Sequence, residues 1–354
     1  MLKYMVVLLT SFMGIIFGVG VFNLNYDTAG VYKDMEIEDF VAMQMIQGND
    51  VYVDLHIDHY KLYRAYIDLS ESPPESIVIG SSQVASMSRE EVGRETFMNH
   101  WINSANIEDF YVILGMYEER LTLPEEIILA IDPSIFNHNR EESRWYDAAE
   151  DFNYMLGIIS GSQDKVGSDN IFKKAKAIFS LHYAIENYKN MNNNNIDYLQ
   201  PEDLAVAENL SRPDDGYILK SDGSVEFRFD YDGMSLNDRE KMIRKHLSIG
   251  IYSCENFDAI DELARKRFQD LIEFLMSRDL KVVILLPPYH PMVYERIAAD
   301  AYYSNILEVE DMLRNIKGVV VVGSYDPSID GYNEEDFFDG IHIESLSKSL
   351  NDLD

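Results

Sequence analysis

The sequence has a single cysteine, Cys254, and few basic residues. One cysteine excludes an intramolecular disulfide and a cysteine-rich metal site. Lysine and arginine together number 30 against 62 acidic residues, which gives a formal net charge of −32 at pH 7. Nucleic acid is therefore a poor candidate partner, because phosphate binding needs a basic surface. Internal repeats and long low-complexity linkers are also absent from the sequence, which favours one folded unit.

Charge is missing from a long stretch near the N-terminus. No charged side chain lies between Lys3 and Asp27, a span close to the roughly 20 apolar residues that cross a bilayer. A positive end precedes this stretch and acidic residues follow it, so the positive-inside rule predicts a cytoplasmic N-terminus and an extracytoplasmic body. We therefore interpret residues 1–25 as a transmembrane anchor. The alternative is a cleaved signal peptide and a secreted protein, although no A-x-A-like cleavage site precedes Asn23.

Residues 26–354 show alternating strand and helix patterns, which predict one α/β domain. We expect a three-layer α/β/α sandwich, flavodoxin-like, with a mainly parallel sheet of about five strands. The irregular stretch at about 139–237 is interpreted as an insertion into this domain. It contains a predicted helix near 172–190 and a predicted β-hairpin that turns at Asp222-Gly223.

Two short motifs at opposite ends of the α/β pattern carry the predicted chemistry. In "ESIVIGSSQVASMS", Ser81 and Ser82 directly follow an apolar strand that ends on glycine. In "DGIH", Asp339 precedes His342 by three residues, after the last predicted strand. A serine nucleophile needs a base, and the base needs a carboxylate to orient it. Because strand carboxyl ends share one edge of a parallel sheet, the two motifs are able to converge there.

This layout resembles the SGNH/GDSL hydrolase superfamily, whose first motif is Gly-Asp-Ser and whose last is Asp-x-x-His. Gly80-Ser81-Ser82 matches the first motif with serine in place of aspartate. The segments "IDPSIFN", "LLPPYHP" and "FFDGIH" are similar to an extracytoplasmic branch that includes proteins of teichoic acid D-alanylation and alginate O-acetylation. The resemblance covers roughly residues 76–342, and its middle third matches poorly. It implies that Ser82 is the nucleophile, His342 the base and Asp339 its partner.

The resemblance also implies an oxyanion hole, where this sequence departs from the family pattern. The superfamily uses the nucleophile's N–H, a glycine of a second motif and an asparagine of a third. The glycine position falls on Ser104, whose backbone N–H can still donate, and the asparagine position falls near Asp132. Substitute oxyanion or substrate-binding side chains are Ser81, Asn103, Asn106 and Asn137. His290 follows a strand and faces the same edge, where it could line the substrate site, although a structural role is favoured for this proline-flanked histidine.

The resemblance predicts an extracytoplasmic, serine-dependent acyl-ester transferase or esterase. Its substrate would be a cell-envelope or exported polysaccharide, with a membrane protein as possible acyl donor. No cofactor or metal is expected, because this chemistry uses side chains and backbone donors. The departures at Ser81 and Asp132 motivate an alternative, a catalytically silent envelope-binding or assembly protein that keeps the fold. A third possibility is a plain secreted esterase.

Overall fold

The computed structural model describes most of the α/β domain and part of the insertion. The described residues are 2–25, 36–53, 57–140, 144–161, 184, 217–227, 235–251, 253–351 and 353. Apart from residue 184, which is helical, the predicted helix at 172–190 lies outside them.

The main sheet has five strands, all paired in parallel, which confirms the predicted α/β class and strand number. Its spatial order is β3 (Phe97–Trp101), β2 (Ser76–Gly80), β4 (Glu126–Ala130), β7 (Lys281–Leu286) and β8 (Val320–Gly323). The central strands are buried along their whole length. Their runs of β-branched and aliphatic residues are typical of parallel strands covered on both faces.

Helices follow the strands in the alternation that the sequence predicts. Before the main sheet lie α1 (Leu2–Asn25), α2 (Glu36–Ile46) and α3 (His59–Leu69). Between its strands, in chain order, lie α4 (Arg89–Val92), α5 (Ile107–Arg120), α6 (Ala149–Ser160), α7 (Leu236–Leu247), α8 (Glu262–Ser277), α9 (Pro291–Ala299) and α10 (Ser304–Arg314). Helix α5 packs against α3, α6 and α8, and the C-terminal leucines are buried. The arrangement is consistent with three layers.

The predicted anchor lies in α1. Counted over the residues whose placement the structure describes, no helix is long and apolar enough to cross a membrane. The anchor stays a prediction.

A second, three-stranded antiparallel sheet joins the insertion to the N-terminal part of the domain. Its order is β1 (Val51–Val53), β5 (Tyr217–Leu219) and β6 (Val225–Phe227). Strands β5 and β6 form the predicted hairpin, and Gly223 adopts the positive φ of 78° that its turn requires. The β1 pairing was not predicted, because three residues are too few to show a strand period.

Strand β2, the first strand of the main sheet along the chain, ends at the topological switch point of that sheet. The chain leaves β2 toward β3 on one side, whereas β4 lies on the other side of β2. In open α/β sheets, ligands bind in the crevice that opens at such a point. Ser82 therefore follows the strand that ends at this switch point.

Gly80, the last residue of β2, lies too close to its neighbours to carry a side chain. A Cβ atom there would lie 2.7 Å from the Cβ of Ala130 and 2.9 Å from a methyl of Val84. We expect Gly80→Ala to lower the free energy of unfolding by about 1–3 kcal/mol, as overpacking does. Urea denaturation of the full-length protein would measure it. Because the closest clash is with Ala130, Ala130→Gly should reduce the cost of Gly80→Ala. An equal cost in both backgrounds would refute this explanation.

Candidate active site

The Ser82 hydroxyl lies on a short 3₁₀ helix, Ser82–Val84, immediately after β2. Ser81 is the N-cap of this helix, and its hydroxyl accepts a hydrogen bond from the backbone N–H of Gln83 at 3.4 Å. Serine and aspartate are both favoured at helix N-caps. The serine found where the family motif has aspartate therefore keeps a residue suited to starting this turn.

Asn99 fixes the loop that carries Ser82. Its side chain is fully buried on β3, and its amide nitrogen donates to the carbonyls of Val84 at 2.7 Å and Met87 at 2.9 Å. One side chain thus ties the loop after β2 to the neighbouring strand at two points. The sequence does not reveal this role, because an isolated asparagine in a strand shows nothing about which carbonyls it contacts.

The loop that carries Asp339 and His342 is held at both ends. Phe337 and Ile343 form an antiparallel bridge, and the Ile343 carbonyl accepts a hydrogen bond from the Ser86 hydroxyl at 3.2 Å. The Gly340 carbonyl accepts from the backbone N–H of His290, which follows β7, at 3.1 Å. The loop after β8 is therefore attached both to the nucleophile loop and to the loop after β7.

Asp339, His342 and Ser82 form a continuous hydrogen-bonded relay. Asp339 Oδ2 lies 2.8 Å from His342 Nδ1, and His342 Nε2 lies 2.9 Å from the Ser82 Oγ. Asp339 Oδ1 accepts from the backbone N–H groups of Ile341 at 2.8 Å and His342 at 2.9 Å. The structure thus brings together the three residues that the two motifs single out.

The charge of Asp339 determines the direction of the hydrogen bonds in the relay. Burial alone would raise the pKa of Asp339, but the hydrogen bond and charge of His342 and the two backbone donors hold it below its usual value. The carboxylate is therefore ionised at neutral pH and only accepts hydrogen bonds. In neutral His342 the proton then lies on Nδ1, which leaves the Nε2 lone pair for the Ser82 hydroxyl. This is the arrangement a general base needs.

Two backbone N–H groups, those of Ser82 and Ser104, are the candidate oxyanion donors in the loops after β2 and β3. Ser82 is the first residue of its 3₁₀ helix, so no helical carbonyl is available to its N–H. Ser104 lies beyond β3, which pairs with β2 in register up to Gly80 and Trp101. In the described part of the chain, neither N–H has a hydrogen-bond acceptor. Ser104 has a φ of 51°, the backbone region usually occupied by glycine.

Two of the three asparagine candidates, Asn106 and Asn137, have hydrogen-bond partners within the fold. Asn106 is buried at the N-cap of α5, and its backbone N–H donates to Asp109 at 2.7 Å. The side chain of Asn137 donates to the Ser253 carbonyl at 3.2 Å and accepts from the N–H of Asn139 at 3.0 Å. Asn103 is exposed. None of these observations identifies a side chain that takes the place of the asparagine in the SGNH pattern.

Asp132 and His290 both begin helices at the strand carboxyl edge. Asp132 is half-buried, and its Oδ1 accepts from the N–H of Ser134 at 2.8 Å. His290 is only 4% exposed, and its Nδ1 accepts from the N–H of Met292 at 3.1 Å. Burial lowers the pKa of His290 to about 4, against the opposing effect of Asp339. His290 is therefore neutral at physiological pH, and its contacts are those of a structural residue.

The relay is accessible to a substrate. The side chains of His342 and Asp339 are 28% and 14% exposed, and Ser82 is half-buried. A groove of about 540 Å³ lies between α8 and α10 and contains none of the three residues. We place the candidate site at the relay, because a cavity without reactive groups supplies no chemistry. No cluster of metal-ligating side chains occurs among the described residues.

Comparison of the chain with protein-family models finds no match, and comparison with curated proteins finds none either. The resemblance to SGNH hydrolases therefore depends on the motifs and on the relay geometry alone.

Proposed function

We propose that this protein is an extracytoplasmic serine-dependent acyl-ester transferase or esterase of the SGNH type. The observation that carries the proposal is the relay from Asp339 through His342 to the Ser82 hydroxyl, with both contacts below 3 Å. Such a chain activates a hydroxyl that is otherwise a weak nucleophile. It is assembled from residues 260 positions apart in sequence, joined at the sheet edge where α/β enzymes bind ligands.

The reaction proceeds in two acyl-transfer steps. Ser82 Oγ bonds to the carbonyl carbon of an ester or thioester while His342 Nε2 takes the hydroxyl proton. Collapse of the tetrahedral intermediate breaks the bond to the leaving group, which receives that proton from His342. Water or an acceptor hydroxyl then attacks the acyl-serine, with its proton passing to His342 and on to Ser82. Asp339 keeps His342 in the required tautomer and stabilises its charged form throughout.

The proposed location and acceptor depend on the sequence. A charge-free segment at residues 4–26 with a basic residue before it supports a membrane anchor with the domain outside the cytoplasm. An anchored enzyme stays beside a membrane partner able to deliver an acyl group. The resemblance supports a cell-envelope or exported polysaccharide as acceptor. We accordingly favour the transferase over a soluble esterase.

A fluorophosphonate probe tests the central claim. An activated serine displaces fluoride and forms a stable Oγ–P bond, which intact-mass and peptide mass spectrometry detect. We expect the full-length protein to take up one adduct, on Ser82, and the Ser82→Ala variant to take up none. Ser81→Ala is the matched control and should still be labelled, because its hydroxyl caps the turn and does not contact His342.

The other outcomes are informative. A folded wild-type protein with no adduct would support the silent envelope-binding protein, the alternative that the departures at Ser81 and Asp132 motivate. An adduct on Ser81 would show that the first motif is displaced by one residue. In unlabelled wild-type protein, competition between water and added polysaccharide for the acetyl group of p-nitrophenyl acetate separates hydrolysis from transfer.

A further inference from the structure

Arg140 connects the loops that follow β3 and β4, the two strands on either side of β2. It follows the 3₁₀ helix Pro133–Phe136, and its backbone N–H donates to the Asn137 carbonyl at 2.9 Å. One guanidinium nitrogen donates to the Ser134 hydroxyl at 2.6 Å. Another donates to the carbonyls of Ser104 at 2.6 Å and Ala105 at 3.0 Å. The loop after β4 thereby holds the loop after β3.

The contacts of Arg140 are unusual for a protein this acidic. The chain has 62 acidic residues, yet within its described part no carboxylate forms a salt bridge with this half-buried guanidinium. Its donors are used on backbone carbonyls and a hydroxyl instead. A planar guanidinium fork is well suited to fixing several acceptors at once. These contacts therefore fix loop geometry, and charge pairing does not explain them.

The loop that Arg140 holds has a strained turn. The N–H of Ala105 donates to the Ile102 carbonyl at 3.0 Å, which closes a four-residue turn with Ser104 at its third position. Ser104 has a φ of 51°, whereas Asn103 is not among the residues with positive φ. This combination is a type II turn, whose third residue is usually glycine or asparagine. Serine there is costly and needs support from its surroundings.

The type of turn determines where the Ser104 N–H points. Type I and type II turns differ chiefly by a flip of the central peptide, which here joins Asn103 to Ser104 and carries the Ser104 N–H. Serine by itself favours type I, because that turn needs no positive φ. Arg140 binds the carbonyl of this same residue at 2.6 Å. This hydrogen bond opposes the change in the φ of Ser104 that the flip requires.

We propose that Arg140 is a positioning residue that holds Ser104 in its type II turn, so that the Ser104 N–H serves as the second oxyanion donor. The inference rests on the proposed acyl-transfer function, and Arg140 acts through the backbone of Ser104 without contacting the substrate. It accounts for the serine at the family's glycine position: the arginine supplies the backbone restraint that glycine makes unnecessary.

Four variants of the full-length protein test the inference: Arg140→Gln, Arg140→Lys, Ser104→Gly and the double variant Arg140→Gln/Ser104→Gly. Losing one oxyanion donor lowers kcat about 10²–10³-fold, so we expect a loss in this range for Arg140→Gln in p-nitrophenyl acetate hydrolysis, with KM little changed. Arg140→Lys should keep part of the rate, because one ammonium reaches fewer acceptors. Ser104→Gly keeps the N–H and the turn, so its own kcat is the reference with which the double variant is compared.

The double variant gives the decisive result. Glycine adopts a positive φ without help, so Ser104→Gly should restore most of the kcat that Arg140→Gln loses. A general folding defect would not be repaired in this way. Phenylboronic acid forms a tetrahedral adduct on serine. Its affinity should fall in Arg140→Gln and recover in the double variant, in parallel with kcat. Arg314→Gln is the control, because Arg314 also donates to a backbone carbonyl, that of Gly323, at 2.7 Å.

The outcomes separate this inference from the proposed function. Full activity in Arg140→Gln, or a loss that Ser104→Gly leaves unrepaired, would overturn the role of Arg140 while Ser82 labelling of the wild type still supported the enzyme. A folded wild-type protein that the fluorophosphonate does not label would overturn both, because the Ser104 N–H would then have no oxyanion to serve.

Discussion

Replacing Ser82 or His342 with alanine is expected to lower ester hydrolysis by about 10⁶-fold, the loss seen when a serine hydrolase loses its nucleophile or base. Without Ser82 no acyl-enzyme forms, and without His342 the hydroxyl proton has no acceptor at 2.9 Å. The double variant should be no slower than either single variant, because the two residues perform one step. Steady-state hydrolysis of p-nitrophenyl acetate by the full-length protein measures all three.

Ser81→Ala is the matched control for this experiment. The Ser81 hydroxyl caps the 3₁₀ helix through a long contact with the N–H of Gln83, so its loss should cost about 1 kcal/mol of stability, as for an N-cap, and leave most of the rate. Additive losses in the double variant would mean that Ser82 and His342 act separately. Wild-type activity in Ser82→Ala would remove the proposed nucleophile altogether.

The main sheet was predictable because its strands are short apolar runs that are bounded by turn-forming residues. The apolar run at Ile77–Ile79 ends on Gly80, and the run "VVILL" ends on Pro287-Pro288. Length and flanking residues separate such runs from helices. The pairing of β1 with β5 was not predictable, since it depends on contacts between residues such as Val51 and Leu219 that lie far apart in the chain.

The residues of the candidate site likewise divide into those that the sequence identifies and those that only the folded structure shows. Ser82, Asp339 and His342 were identifiable because each stands in a short motif after a strand, where side chains reach one sheet edge. Asn99 and Arg140 were not, since their contacts with backbone carbonyls of other loops exist only after folding. The positive φ of Ser104 was also hidden, because serine does not signal that conformation as glycine would. Residues that position the reacting groups leave less trace in sequence than the groups themselves.

Replacing Asp339 with asparagine is expected to lower kcat about 10⁴-fold, as the same change does in a serine protease. The size of the loss follows from hydrogen-bond direction. The carboxylate only accepts, so His342 keeps its proton on Nδ1 and offers Nε2 to Ser82. An asparagine that still accepts the backbone N–H groups of Ile341 and His342 turns its NH₂ toward Nδ1. His342 is then held in the tautomer that cannot take the Ser82 proton.

The pH dependence of the unfolding free energy should report the ionisation of Asp339 independently of catalysis. The pKa of Asp339 is lowered in the folded protein, so its charge stabilises the fold above the unfolded carboxyl pKa of about 3.9. That contribution is lost as pH falls through the lowered folded pKa. The difference in unfolding free energy between wild type and Asp339→Asn should therefore be largest near neutral pH and shrink on acidification.

Asp326→Asn supplies the control for both measurements. Asp326 also accepts the backbone N–H of a residue two positions on, Ser328, at 2.9 Å, but it faces no histidine in the relay. Its variant should keep the wild-type rate. If Asp339→Asn also kept the wild-type rate, or if its deficit in unfolding free energy grew on acidification, Asp339 would not be the ionised partner that sets the His342 tautomer.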